Sequence, residues 1–200
     1  MTTRSRMLVT TLALALAWPA LGAAESWVID PAHTVSGFTA RHLMITNVSG
    51  GFEVTRGAIE YTPGDPASIK ADIIIETKSI NTRNQRRDDH LRTNDFLNAD
   101  RFPTITFKSK RVQQVRPDGL ELVGDLTIRD VTREVVLKVD GPSQPIKDPQ
   151  GNRRIGATAT VTINRKDFGV NWSRAIEAGG VVVGDELKIN IEVQAIEKKG

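Results

Sequence analysis

Apolar and polar residues alternate along most of this chain. The clearest run lies near the C-terminus, where Leu187, Ile189, Ile191, Val193 and Ala195 share one face and Lys188, Asn190, Glu192 and Gln194 the other. A period of two is the spacing of a half-buried β-strand. It recurs at Ile69, Ala71, Ile73 and Ile75, at Leu120, Leu122, Leu126 and Ile128, at Val135, Leu137 and Val139, and at Ile155, Ala157, Ala159, Val161 and Ile163. Residues 34–42, 50–61 and 104–115 are also strand-like, with less regular faces. Arg116-Pro117-Asp118-Gly119 and Arg129-Asp130-Val131 have the composition of tight connections. The pattern predicts an all-β chain of about eight strands, closed as an antiparallel up-and-down barrel.

One polar and one apolar face per strand predicts a barrel that is wet outside and apolar inside. A ring of about eight strands is either filled by its own side chains or holds one small ligand. The inward set includes Ala71, Gly124, Ala157, Ala159 and Ala195, and aromatic residues make up 5% of the chain. Small inward residues with few large rings leave volume, unless neighbouring Leu and Ile fill it. Composition leaves both outcomes open. Strands of about 12 residues rise roughly 40 Å, which at a tilt near 40° gives a pore roughly 30 Å deep.

Residues 82–97 interrupt the alternation. Thr82-Arg83-Asn84-Gln85 reads as a capping box, with Thr82 as N-cap and Gln85 at N3. The segment Arg87-Asp88-Asp89-His90-Leu91-Arg92 that follows is too polar for a core helix. A short helical insertion across the barrel rim is expected, pinned by Leu91, Phe96 and Leu97. Asp88-Asp89 reads as a solvated face balanced by Arg83, Arg86, Arg87 and Arg92. Asp88 and Arg92 stand at i,i+4 and can pair.

The N-terminus predicts export. Arg4 and Arg6 precede an almost wholly apolar run, Met7 to Leu21, and Gly22-Ala23-Ala24 supplies small residues for cleavage. That is the layout of a secretory signal peptide over residues 1–24, leaving a barrel domain over 25–200 and a periplasmic location. The apolar run holds Pro19 and falls short of the roughly 20 residues of a membrane span. Loss of Arg4 and Arg6 lowers the 27 basic residues to 25, against 24 acidic. A net charge that small removes the electrostatic footprint that nucleic-acid binding requires. The absence of cysteine excludes disulfides, thiol catalysis and thiolate metal sites.

The motifs, taken in order, resemble the YceI-like family of periplasmic lipid-binding proteins. Trp27 and Asp30 match its Trp-x-x-Asp opening, and His33-Thr34, Phe38 and His42-Leu43 the segment after it. Val48-x-Gly50-x-Phe52, Ser79-Ile80-x-Thr82 and the charged helix follow. Gly124-Asp125-Leu126-Thr127-Ile128-Arg129 with Val131-Thr132, then Asp167-Phe168-Gly169, Trp172 and Gly184-Asp185-Glu186, complete the match. Departures are Leu97-Asn98, where a second Phe and an Asp are usual, and Asp130, where Gly is usual. Asp tolerates turn geometry, so the hairpin is expected to survive.

The resemblance implies a lipocalin-like barrel around a long isoprenoid, such as a polyprenyl pyrophosphate or isoprenoid quinone, or a similar lipid. It implies a binding or carrier protein rather than an enzyme, with members that are often dimeric, and a carrier of this kind is expected to touch a membrane transiently. The expected tunnel wall is Phe38 and Phe52 near the start, Ala71, Ile73 and Ile75 next, Leu126 in the central hairpin, and Ala157, Ala159, Val161, Ile189 and Ile191 in the last strands. Headgroup donors at the mouth are expected from Arg41, His42 and Arg92, because arginine forks suit phosphate. The competing role for Arg87 and Arg92 is pairing with Asp88, Asp89 and Asp95 to hold the helix.

Other chemistries have weaker footing. His33, His42 and His90 are the only histidines and stand at no recognised zinc-ligand spacing, so no metal or cofactor is expected. No Gly-x-Ser-x-Gly elbow, phosphate loop or zinc-protease helix occurs. The rival readings are a periplasmic stress or interaction protein with a filled barrel that acts through a protein partner, and a hydrolase or isomerase using His42 or His90.

Overall fold

A computed structural model describes residues 22–177 and 179–199. The leader expected over residues 1–24 lies almost entirely outside them. The described chain runs β1 (Glu25–Ile29), β2 (Val35–His42), β3 (Thr46–Phe52), β4 (Thr55–Thr62), β5 (Asp65–Glu76), β6 (Ile80–Asn81), α1 (Gln85–Arg92), β7 (Thr104–Arg116), β8 (Gly119–Ile128), β9 (Val131–Asp140), β10 (Ile146–Lys147), β11 (Arg153–Asn164) and β12 (Val183–Glu197). Eight positions close into a ring: β1 with β2, β3 with β4, β5 with β6, then β7, β8, β9, β11 and β12. Neighbours in sequence are neighbours in space and all are antiparallel. This is the expected eight-stranded antiparallel barrel with one short helix.

Closure depends on β12. One edge pairs with β11 through eleven register pairs, from Arg154↔Ile196 to Asn164↔Glu186. The other edge pairs with β2 and, further on, with β1. The opposite seam is short, since β9 meets β11 at three register pairs only. Towards the helical end this seam gives way to a 3-10 turn, Arg165–Phe168, whose Phe168 is buried in the core.

Three adjacent positions are each built of two pieces. β1 and β2 are separated by Asp30–Thr34, β3 and β4 by Glu53-Val54, and β5 and β6 by the 3-10 turn Thr77–Ser79. The pairings Ser36↔Phe52 and Phe52↔Ile80 on one side, and Val28↔Ala58 and Thr55↔Ile75 on the other, set these breaks side by side. Local bonds replace the ladder there. Ser36 Oγ lies 2.8 Å from Thr55 Oγ1, the Val54 amide donates to Ser79 Oγ, and Thr77 Oγ1 donates to the Phe102 carbonyl at 2.6 Å. Backbone groups released from a sheet in a protein interior must find such partners.

The alternating faces sort as the sequence requires. The main core gathers Ile75, Ile105, Phe107, Leu122, Leu126, Leu137 and Ile163. A second cluster of Trp27, Ile29, Tyr61, Ile155 and Ala195 fills the end that carries the chain termini. Each large side chain fully buried in these clusters stabilises the fold by roughly 1.5–3 kcal/mol. Gly124 leaves no free volume, because a Cβ there would lie 2.5 Å from the Phe107 ring. The sequence reading of Gly124 as unfilled space is corrected by that ring. Arg129 and Asp130, at φ 52° and 61°, form the two-residue hairpin turn between β8 and β9, so Asp130 does stand in for glycine.

The helix differs from expectation in its start and its charges. Its N-cap is Asn84, whose side chain accepts from the Arg87 amide at 3.0 Å. Thr82 lies outside the helix, and its amide and hydroxyl both donate to Asp88 Oδ1. Asp88 is therefore buried, not solvated, and does not pair with Arg92. Arg92 bonds Asp89 instead, at 3.1 Å. Leu91, Phe96 and Leu97 do face the barrel interior.

Outside the terminal end, Arg154 bridges Asp30 and Asp148, each at 2.6 Å. The Arg154 guanidinium holds Asp148 down to about 2 and Asp30 below the usual carboxylate value. A depressed folded-state pKa gives stability that is present above the unfolded value and lost as pH falls through the folded one. The melting temperature is therefore expected to fall between about pH 4 and pH 2. In thermal unfolding scans across that range, Arg154→Leu should show a shallower decline from a lower starting value.

Candidate functional site

The inward faces enclose a cavity of about 250 Å³. Its wall is almost wholly carbon. Phe38 of β2, Phe52 of β3, and Ala71, Ile73 and Ile75 of β5 all line it. So do Leu126 of β8, Ala157, Ala159 and Val161 of β11, and Ile189 and Ile191 of β12. Ala195 does not, because it is packed into the terminal cluster.

Many of these residues face inward yet are only half-buried. Phe38, Phe52, Ala71, Ile73, Ala157, Val161, Ile189 and Ile191 all retain accessible surface. An inward side chain that packs against a neighbour loses that surface, as Leu122 and Ile163 do. The side chains lining the middle of the barrel therefore stop short of filling it.

The polar groups on the wall are few and paired. Ser36 and Thr55 bond each other. Tyr61 Oη accepts from the Gly64 amide at 3.0 Å. Arg165 is the charged residue among the lining side chains, and it is 2% exposed. Its guanidinium donates to the carbonyls of Val170, Trp172, Val183 and Gly184 and to Asp185 Oδ1. Burial pulls its pKa down and the Asp185 carboxylate opposes that. With its donors so committed, Arg165 offers the tunnel no free charge. Sequence reading missed it, although it continues the inward register of Ile155 to Ile163 and the signal was there.

The three headgroup candidates separate. Arg41 is exposed, bonds Asn47 Oδ1 at 3.2 Å and is not on the cavity wall. Arg92 donates to the carbonyls of Lys78 and Ile80 and to Asp89, which ties the helix to the β5–β6 segment. Neither is brought to the tunnel. His42 shares the face of Phe38 and Ala40 and is half-buried at the rim. Arg87 holds Thr82 through its hydroxyl and carbonyl. His33 contacts Asp30, and His90 contacts Asp95 and packs edge-on against Phe96 and Trp172. Among the described residues no three His, Asp or Glu side chains converge as a metal site.

The chain matches the YceI-like domain over residues 27–195. It belongs to the YceI-like family. A UPF0312 protein of Staphylococcus aureus strain N315 is 35% identical over 169 residues, covering 84% of this chain and 96% of that protein. The crystal structure of the Campylobacter jejuni YceI protein superposes with a TM-score of 0.68 at 29% identity, covering 96% of this chain and 100% of the other. A domain from Saccharophagus degradans described as polyisoprenoid binding shares the fold, with a TM-score of 0.61 at 16% identity over 87% of this chain and 99% of its own.

If Arg92 is a helix anchor, Arg92→Ala should lower unfolding stability by about 1–2 kcal/mol, as expected for loss of charge-assisted hydrogen bonds. Binding of a neutral and of an anionic isoprenoid should then fall to the same extent, as measured by tryptophan quenching. A selective loss of the anionic ligand would return Arg92 to the headgroup site.

Proposed function

We propose that this YceI-like protein binds a long-chain isoprenoid or comparable lipid by its tail and carries it through the periplasm after its leader is removed. The observation that carries this reading is the carbon-lined tunnel whose inward side chains remain half-exposed. A barrel that acted only through its outer surface would have no use for that unfilled length. The S. degradans domain, described as polyisoprenoid binding, lends support from the same fold.

The wall bears on which end of the lipid is recognised. Among the described residues no free charge reaches the tunnel, so the tail enters it and a headgroup is either neutral or left at the rim near His42. An isoprenoid quinone satisfies this directly. A polyprenyl pyrophosphate satisfies it with its phosphates in water. Burial of an alkyl chain from water gains about 0.8 kcal/mol per methylene, but a tail taken from a bilayer is already dry. Tail packing and rim contacts then decide transfer.

Organic extraction of natively purified protein followed by mass spectrometry should return about one lipid per chain. Ala157→Trp, which places an indole in the tunnel, should lower that occupancy severalfold while the fold survives. A lipid-free wild-type protein that also takes up no added isoprenoid would defeat the reading.

A further inference from the structure

We propose that the β2–β3 hairpin tip, Leu43-Met44-Ile45, is a membrane-docking element that sets the tunnel rim against an anionic phospholipid surface. The proposal rests on the lipid-carrier reading above and names the surface at which cargo would be exchanged.

The tip is unusual for a turn. Leu43 and Met44 hold φ of 51° and 62°. Hairpin turns that need the left-handed region ordinarily use Gly, Asn or Asp, and bulky apolar side chains are costly there. This turn nevertheless carries three apolar residues in a row. Ile45 is 74% exposed and Met44 is 45% exposed.

The tip is also fixed in place. The Leu43 amide donates to the Val182 carbonyl at 2.9 Å, and the Val182 amide to the Arg174 carbonyl at 2.9 Å. A short ribbon follows, with Ala175 bridged to Val181. Gly180 abuts Met44, since a Cβ there would stand 3.1 Å from Met44 Cγ. Half-buried Ile176, Val181 and Val182 thus extend the lip beside the tip. The apolar surface continues inward through Ala40 and Val183, which line the tunnel.

Charge selects the occupant. Arg41 adjoins the tip, with Asn47 as its side-chain partner and no carboxylate bonded to it among the described residues. Arg174, exposed on the neighbouring ribbon, makes no side-chain bond among the described residues. Glu177 on that ribbon and Glu186 in the β12 bulge opposite Arg41 are exposed acids nearby, and neither is bonded to Arg41 or Arg174 among the described residues. Two guanidiniums without an ion-pair partner among the described residues, flanking a protruding apolar tip, match phosphates above acyl chains. A convex tip of three residues cannot bury the roughly 1,200 Å² of a stable protein interface, whereas a bilayer surface accepts an inserted tip.

The test is sedimentation of mature protein with vesicles of phosphatidylethanolamine and phosphatidylglycerol, and with vesicles of phosphatidylcholine. Wild-type protein should favour the anionic vesicles. Ile45→Asp should bind them about tenfold less, and Arg41→Gln with Arg174→Gln should lose about fivefold per arginine. Met44→Ser with Ile45→Ser should repeat the first loss without adding a charge. Uptake of cis-parinaric acid from buffer reports the tunnel alone and should be the same in Ile45→Asp as in wild type. Anionic vesicle binding that is absent in wild type, or undiminished in the tip variants, would overturn the proposal. So would a wild-type dimer, detected by analytical ultracentrifugation, that Ile45→Asp dissolves, because the tip would then meet a second copy. Failure of wild-type parinaric acid uptake would instead sink the carrier reading, and the vesicle result would still decide the docking.

Discussion

The structure depends on β12 having no free edge. It is the last strand made, and it alone joins β11 to the first strands of the chain. Its eleven pairs with β11 and its pairing with β2 and β1 turn a sheet into a ring. Closure satisfies the backbone and removes the sheet edges through which strands otherwise aggregate. It also obliges every strand to present one face inward, which is why a period of two along the sequence becomes a continuous apolar wall.

Much of this was legible because periodicity survives folding. Ala71, Ile73, Ile75, Leu126, Ala157, Ala159, Val161, Ile189 and Ile191 follow from alternation and line the cavity, whereas Phe38 and Phe52, in less regular strands, were reached through the family motifs. The helix was also legible, as an element too polar for the core yet pinned by Leu91, Phe96 and Leu97. The partners of its polar side chains were not. Thr82 and Asn84 are both good caps, and what separates them is Asp88, which takes both donors of Thr82 and leaves Asn84 to begin the helix. That choice is made by burial, which local sequence does not carry. The break at Glu53-Val54 was hidden for a related reason, since residues 50–61 read as one strand-like run.

Arginine has an unexpected role here. Arg92, Arg129 and Arg165 each give donors to backbone carbonyls in the loops at the helical end. Arg129 reaches the carbonyls of Phe96 and Gly169 and so ties the segment after α1 to the loop after β11. One planar fork can satisfy several carbonyls that a sheet would otherwise have paired. Arg92, read from the sequence as a partner for a phosphate, is in this way used to hold irregular backbone in place. Among the described residues the tunnel wall carries no uncommitted cation, because its arginine, Arg165, is already engaged.

The side-by-side breaks in three neighbouring strands have a consequence for the length of the tube. A long unbroken strand in a narrow barrel coils as it twists, and ordinary strands seldom exceed about ten residues. Splicing β1 to β2, β3 to β4 and β5 to β6 sets joints side by side in three of the eight positions, as a cooper joins short staves when one long stave would warp. One flank of the barrel is jointed, while β7, β8, β9, β11 and β12 run unspliced beside it.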